Sequence, residues 1–361
     1  MPDTGVNPEL VASAPEMAEL VEVAQNVFWS RMPLPGKLNH INIWLFREDD
    51  GFSVLDTGMY TADAEAAWTS LLASLPEGMP IRRVFVTHLH PDHVGMAGWL
   101  MERGADEFWM TRMEYLTCRV MVGQSHDETV PEDFTAFHRA AGWPDAAIDG
   151  YYDHYHNYGR RISRLPRSYQ RLEEGQFHVI GGHRWRVVTG NGHSPEHACL
   201  YCEESKLLIS GDQVLPGISS NVSVTPMEPT ANPMADWLAS LRKLKLEIPD
   251  DVLVLPAHQH CFKGLHGRIN ALLADQERAL VRLREALAIE PKRVIDLFPV
   301  LFGRDLSEEN FMIFNLATGE ALACLNYLVE RAEVDFVTDS EGVCWYHIVE
   351  SQKSKLAQRP R

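Results

Sequence analysis

Cysteine is scarce in this 361-residue chain, with six residues (Cys118, Cys199, Cys202, Cys261, Cys324 and Cys344) scattered without the spacing of a disulfide framework. That excludes a small disulfide-stapled scaffold and suits a reducing, cytoplasmic setting. Basic charge is short as well: 33 Lys and Arg stand against 50 Asp and Glu, a formal net charge of −17. The balance argues against a long nucleic-acid footprint and against an anionic membrane surface. No apolar run of about 18 residues occurs, so no membrane span is expected. The first residues lack the basic-then-apolar pattern of a signal peptide. No internal repeat or low-complexity segment is present. What remains is ordinary for a globular protein, 45% hydrophobic and 23% charged, and long enough for two domains.

The pattern along the chain predicts layered strands and helices. Residues 21–30 and 38–46 read as strands, 62–75 as a helix, "IRRVFVT" as a buried strand and 94–103 as a helix. Residues 111–171 differ: they read as mostly helical and aromatic, an insertion into the main pattern. Strands are expected again at 177–180, 184–189, 198–203 and 206–210. A helix at 233–246 precedes the strand "DVLVLPAH". Beyond it come helical patterns at 266–289, 292–302 and 307–331, then short strands at 333–337 and 343–348. Three helices and a hairpin suggest a winged-helix-like domain at 263–361, behind a larger domain at 1–262.

One stretch stands out: "THLHPDH", residues 87–93, holds three histidines and an aspartate. His88 and His90 alternate at a strand end, so both can face one point. Asp92 and His93 follow the turn at Pro91 and can face a second. Imidazole with carboxylate suits zinc, and also iron or manganese. Other ligand-type residues end apolar runs in the same way: His193 in "GNGHSPEHACLY", Asp212 in "LLISGDQVLP" and His258 in "VLVLPAHQH". His260 is an alternative to His258, which position favours. Asp56, in "LDTG", ends a further strand and could support the ligands from behind.

This ordered set resembles the hallmark of the metallo-β-lactamase superfamily, a His-x-His-x-Asp-His run followed by a His turn, a strand-end Asp and a late His. The resemblance implies an α+β fold, an αββα sandwich. It places one divalent ion on His88, His90 and His193, and a second on Asp92, His93 and His258. Asp212 would bridge the two, and Asp56 would orient ligands. The tail resembles the winged-helix appendage of one branch of that superfamily. An aspartate at the bridging position, where β-lactamases proper usually carry cysteine, resembles the thioesterase, lactonase and phosphodiesterase branches, the glyoxalase II-like branch among them.

The chemistry implied is hydrolysis: two cations acidify a shared water, and the resulting hydroxide attacks a carbonyl or phosphorus centre, with Asp92 holding the nucleophile. The first expectation is cleavage of a thioester or lactone; the alternative is a phosphodiesterase or endoribonuclease. The insertion is expected to form a lid, its aromatics Tyr115, Phe134, Phe137, Trp143, Tyr151, Tyr152, Tyr155 and Tyr158 either lining an acyl pocket or packing the lid down. His40 is a candidate substrate contact. Among five arginines at 159–171, Arg161 and Arg164 are candidates for an anion clamp. The tail carries 13 Lys and Arg against 15 Asp and Glu. Its candidate recognition helix holds Glu308, Glu309, Glu320 and Glu330, so no DNA binding is expected. The tail is expected instead to brace the lid or to make a homodimer contact.

Overall fold

The computed structural model describes residues 9–10, 13–127, 129–155, 157–308 and 310–357. His40–Arg47 shows why the chain layers as it does. Ile41, Ile43 and Leu45 project into one apolar cluster, while Trp44 and Phe46 project into another. A strand buried on both faces belongs in the middle of a stack, which accounts for the run "INIWLF", apolar but for Asn42.

Two seven-stranded sheets form the stack. The first runs Val21–Ala24, Val27–Pro33, His40–Arg47, Phe52–Leu55, Ile81–Phe85, Glu107–Thr111, Gln170–Leu172. The second runs Glu9–Leu10, Phe262–Lys263, Leu253–Pro256, Leu207–Gly211, His197–Cys202, His183–Gly190, Phe177–Ile180. Trp29, Trp44, Phe46 and Phe85 meet Trp185, Leu200, Ile209 and Leu255 between them. Helices Ala62–Ser74 and Ala97–Glu102 cover the outer face of the first sheet. Pro233–Glu247 covers the second, giving the expected αββα sandwich. Cys199 and Cys202 face opposite sides of their strand and are both buried free thiols.

Two expectations change in detail. Residues 21–30 are not one strand: the chain turns back at Gln25 and Asn26, where Asn26 takes a left-handed φ of 60°. The insertion lies between two strands the sequence hid, Glu107–Thr111 and Gln170–Leu172, which pair in parallel. Its helices are Arg112–Gln124, Glu132–Ala140, Asp145–Tyr155 and Asn157–Arg160. The lid aromatics that can be followed pack inward: Phe137, Trp143 and Tyr151 join one core and Tyr115 and Tyr158 another. The side chains of Tyr152 and Tyr155 lie outside the described residues, as does Glu309.

Helices Leu265–Ile289, Phe298–Phe302 and Phe311–Glu330 and the hairpin Val334–Thr338/Cys344–Ile348 follow. They share one continuous apolar cluster with the second sheet, helix Pro233–Glu247 and the lid. Phe311–Glu330 is long and apolar enough to cross a membrane by length and composition. Here Phe314, Ala317, Ala321, Leu325 and Leu328 pack it into that cluster. Helix Phe311–Glu330 also braces the lid, since Trp143 Nε1 donates to Thr318 Oγ1 at 2.8 Å and His138 Nε2 lies 2.9 Å from Asn315 Oδ1.

Parallel pairing positions the site. Phe52–Leu55 runs beside Ile81–Phe85, and Leu207–Gly211 beside Leu253–Pro256. The residues just past their C-terminal ends therefore emerge at one edge of the sandwich, where α/β sheets commonly bind ligands. Backbone bonds stitch the two sheets there: Ala198 N donates to Thr87 O at 2.9 Å and Asn42 N to Ala257 O at 2.7 Å.

Candidate metal centre

Three groups of ligand-type atoms form at that edge: His88, His90 and His193; His88, His93 and Asp212; Asp92, His93 and His258. Within each group the donor atoms lie within 4.8 Å of one another. Asp212 reaches both sides, its Oδ2 at 3.4 Å from His193 Nε2 and 3.6 Å from His93 Nε2, its Oδ1 at 3.5 Å from His258 Nε2. Asp92 Oδ2 lies 3.4 Å from His258 Nε2. His260 is elsewhere, its ring 6.3 Å from that of Trp29.

The rings are held so that lone pairs, not protons, face the centre. His93 Nδ1 donates to Asp56 Oδ2 at 2.8 Å, His193 Nδ1 to the carbonyl of Asn221 at 2.6 Å and His258 Nδ1 to the carbonyl of His40 at 3.1 Å. Each leaves Nε2 as the inward acceptor, the way metal-binding imidazoles are oriented. His88 Nε2 then faces His90 Nδ1 at 2.9 Å and His193 Nε2 at 3.2 Å. Imidazole nitrogens this close either share a proton or converge on one cation. His93 Nε2 and Asp212 Oδ1 are buried without a hydrogen-bond partner, which is costly unless an ion satisfies them. The donor set therefore fits divalent ions.

Electrostatics divide the histidines. Burial works against charging His93 and His258, but Asp56, Asp212 and Asp92 around His93, and Asp212 and Asp92 around His258, outweigh it and raise both. These two rings hold protons that an ion would displace. Burial, then the neighbouring histidines, push His88 well below its ordinary pKa; burial and His193 bring His90 down to about 3. Both stay neutral, as ligation requires. Burial works against ionising Asp92, but His93 and His258 outweigh it and hold the carboxyl below the usual range.

Asp56 is built for its place. It adopts a left-handed φ of 61°, which aspartate tolerates better than most residues. Its carboxylate accepts from Thr87 N at 2.8 Å and from Thr87 Oγ1, as well as from His93.

A model described as the metallo-beta-lactamase superfamily matches residues 36–260, more than half of the chain and all of these side chains. The chain belongs to the metallo-β-lactamase superfamily. A second model, the metallo-beta-lactamase-like C-terminal domain, matches residues 280–349. A Bacillus subtilis protein named as a probable metallo-hydrolase, YqjP, is 23% identical over 82% of this chain and 91% of its own. An acyl-coenzyme A thioesterase of Gallus gallus, MBLAC2, is 26% identical over 66% of this chain and 80% of its own. Among solved structures, a beta-lactamase domain protein from Burkholderia ambifaria superposes with TM-score 0.85 at 37% identity, covering 95% of this chain and 98% of that one. A metallo-beta-lactamase family protein from Thermus thermophilus gives 0.75 at 25% identity, covering 91% and 100%. The protein is a metallo-hydrolase of this superfamily.

Several supporting residues of this superfamily centre were not read from the sequence. His197 is buried, and its Nε2 accepts from the backbone N of Asp212 at 3.0 Å. A Cβ at Gly211 would lie 2.5 Å from the His197 ring, so glycine admits the histidine beneath the bridging aspartate. Its signal was present in "HSPEH", four residues after His193. Glu114, in the first turn of the first lid helix, is buried and accepts from Leu89 N at 2.9 Å, Ser194 Oγ at 2.6 Å and Glu196 N at 2.7 Å. It ties the His88–His90 turn to the His193 turn and gives Ser194 a structural task; burial pushes its carboxyl up to about 7. Tyr158 adds a bond from its hydroxyl to Leu89 O at 2.7 Å.

His40 sits behind His258 and touches it through its carbonyl. Its ring Nδ1 pairs with Asn39 Oδ1 at 2.6 Å, and burial with nearby Arg31 lowers its pKa to about 4. Arg161 and Arg164 lie on the segment that backs Gly95 and Gly98, each through its own carbonyl. Arg171 pairs with Glu173. Arg160, Arg161, Arg164 and Arg167 form no salt bridge among the described residues.

Proposed function

We propose that the protein hydrolyses a carboxylic ester-type bond, an acyl thioester before a lactone. The observation that carries this reading is the two-sided carboxylate of Asp212, placed between the two ligand groups where a β-lactamase proper would usually present cysteine. The thioesterase names of similar proteins support it: MBLAC2, and an atrochrysone carboxyl ACP thioesterase of Paecilomyces divaricatus, 26% identical over 69% of this chain and 63% of its own. Two divalent ions on His88, His90 and His193 and on Asp92, His93 and His258, zinc foremost for such donors, would supply an acidified water and a Lewis acid for the carbonyl. Asp92, kept ionised, accepts a hydrogen bond from the attacking water and orients it. Asp212 fixes the spacing of the two ligand groups. The first lid helix presents exposed Met113, Leu116 and Val120 beside buried Glu114, an apolar face for an acyl group. The test is a panel of acyl thioesters, lactones, phosphodiesters and RNA. Chelator-sensitive turnover of the acyl substrates is expected, and RNA or phosphodiester cleavage as the faster reaction would sink the reading.

The same proposal gives Arg161 and Arg164 work, because a coenzyme A leaving group carries phosphates far from the scissile bond. Charge-assisted contacts of about 1–3 kcal/mol each would be lost in the Arg161→Ala/Arg164→Ala double variant. KM for a coenzyme A thioester should rise about tenfold or more, at ~1.4 kcal/mol per decade, with turnover of a small neutral thioester unchanged. Equal kinetics on both substrates would show these arginines to be surface charge.

A further inference from the structure

Residues 212–224 carry the bridging carboxylate at one end and the orienting carbonyl of Asn221 near the other, yet they form neither helix nor strand. Something outside the segment must hold it. From helix Leu265–Ile289, buried Arg268 donates Nε to Leu215 O at 2.6 Å and Nη2 to Ile218 O at 2.8 Å. From helix Phe311–Glu330 the approach is closer. Val224 N donates to Gly319 O at 3.0 Å, and a Cβ at Gly319 would lie 2.7 Å from Ser223 Cβ, Ser223 Oγ and Val224 O. Next to it, Glu320 Oε2 accepts from Asn221 Nδ2 at 3.0 Å. A short path thus runs from Glu320 to the Asn221 amide, along the Asn221 backbone to its carbonyl, and into His193 Nδ1.

We propose that the C-terminal helices complete the metal centre, with Arg268, Gly319 and Glu320 as positioning residues that hold residues 212–224 so that Asp212 and His193 aim at one point. The inference rests on the metal reading above. It makes the tail part of the machinery rather than only an appendage for a substrate or partner.

The test uses the full-length protein and zinc, with affinity read by chelator competition. Glu320→Ala and half-buried Asn221→Ala should each weaken zinc binding about tenfold or more, the usual cost of losing a group that orients a ligand. The metal-free proteins should keep the parent's far-UV spectrum and unfolding temperature. Glu320→Gln retains an acceptor for the Asn221 amide and should bind zinc close to the parent level. The double Ala variant should be no weaker than the weaker single one, because both cut the same path. Parent-like zinc affinity in both Ala variants overturns the proposal, as does a Glu320→Gln variant as weak as Glu320→Ala. If Glu320→Ala does not fold, Asn221→Ala decides alone. A parent that takes up no zinc refutes the metal reading and this inference with it, whereas a zinc-loaded parent with unaffected variants refutes the inference only.

Discussion

Asp212→Ala is expected to lose at least about a thousandfold in turnover and to release metal, while His260→Ala stays near the parent. Asp212 lies between His193 of the first group and His93 and His258 of the second, so its removal would leave neither ion a shared anionic ligand. Metal assistance contributes several kcal/mol of transition-state stabilisation, and roughly 4 kcal/mol corresponds to three decades of rate. His260 is the control because it follows the same strand but stacks edge-on to Trp29. Kinetics and metal content of the two variants check this together. Matching losses in both would mean that the bridging position has been assigned to the wrong residue.

Asp56 carries the second large effect, which divides between folding and metal binding. Its buried carboxylate pairs with His93 and takes Thr87's backbone and hydroxyl donors. Asp56→Ala strands those donors, and breaking a buried pair of this kind costs about 3–5 kcal/mol. Urea unfolding of the metal-free protein should show that loss. Asp56→Asn keeps the shape but turns an amide N–H toward His93 Nδ1. That forces the His93 proton onto Nε2, the atom aimed at the metal. The Asn variant should therefore fold yet hold less metal. An Asn variant with full metal content would show that His93 does not depend on Asp56 for its tautomer.

The residues that gather at the sandwich edge were legible because each follows an apolar strand, and a strand's end is a fixed point in a sandwich. His88 and Asp212 needed only that rule. Sequence could not decide between His258 and His260, since both follow the same strand; the choice comes from the left-handed turn at Gln259 (φ 69°), which sends the two rings apart. Glu114 and His197 were hidden for another reason. Their partners are backbone amides of distant loops, and no local pattern encodes such contacts. The lid aromatics could be read two ways, and only packing shows that Trp143 faces Thr318. The acidic character of the last long helix was also misleading in part. Half-buried Glu320 turns toward Asn221 and accepts its amide, so part of that acidity is used inside the fold. Gly319, a weak helix former inside a long helix, lets Ser223 and Val224 approach.

The central claim is that seven side chains from four strand ends make one two-ion centre. Elemental analysis of the purified full-length protein, expressed with ample metal, tests it most directly. The account predicts about two transition-metal ions per chain, falling to about one in His258→Ala, where the second group loses a ligand. One ion or none in the parent, or an unchanged count in His258→Ala, would contradict it.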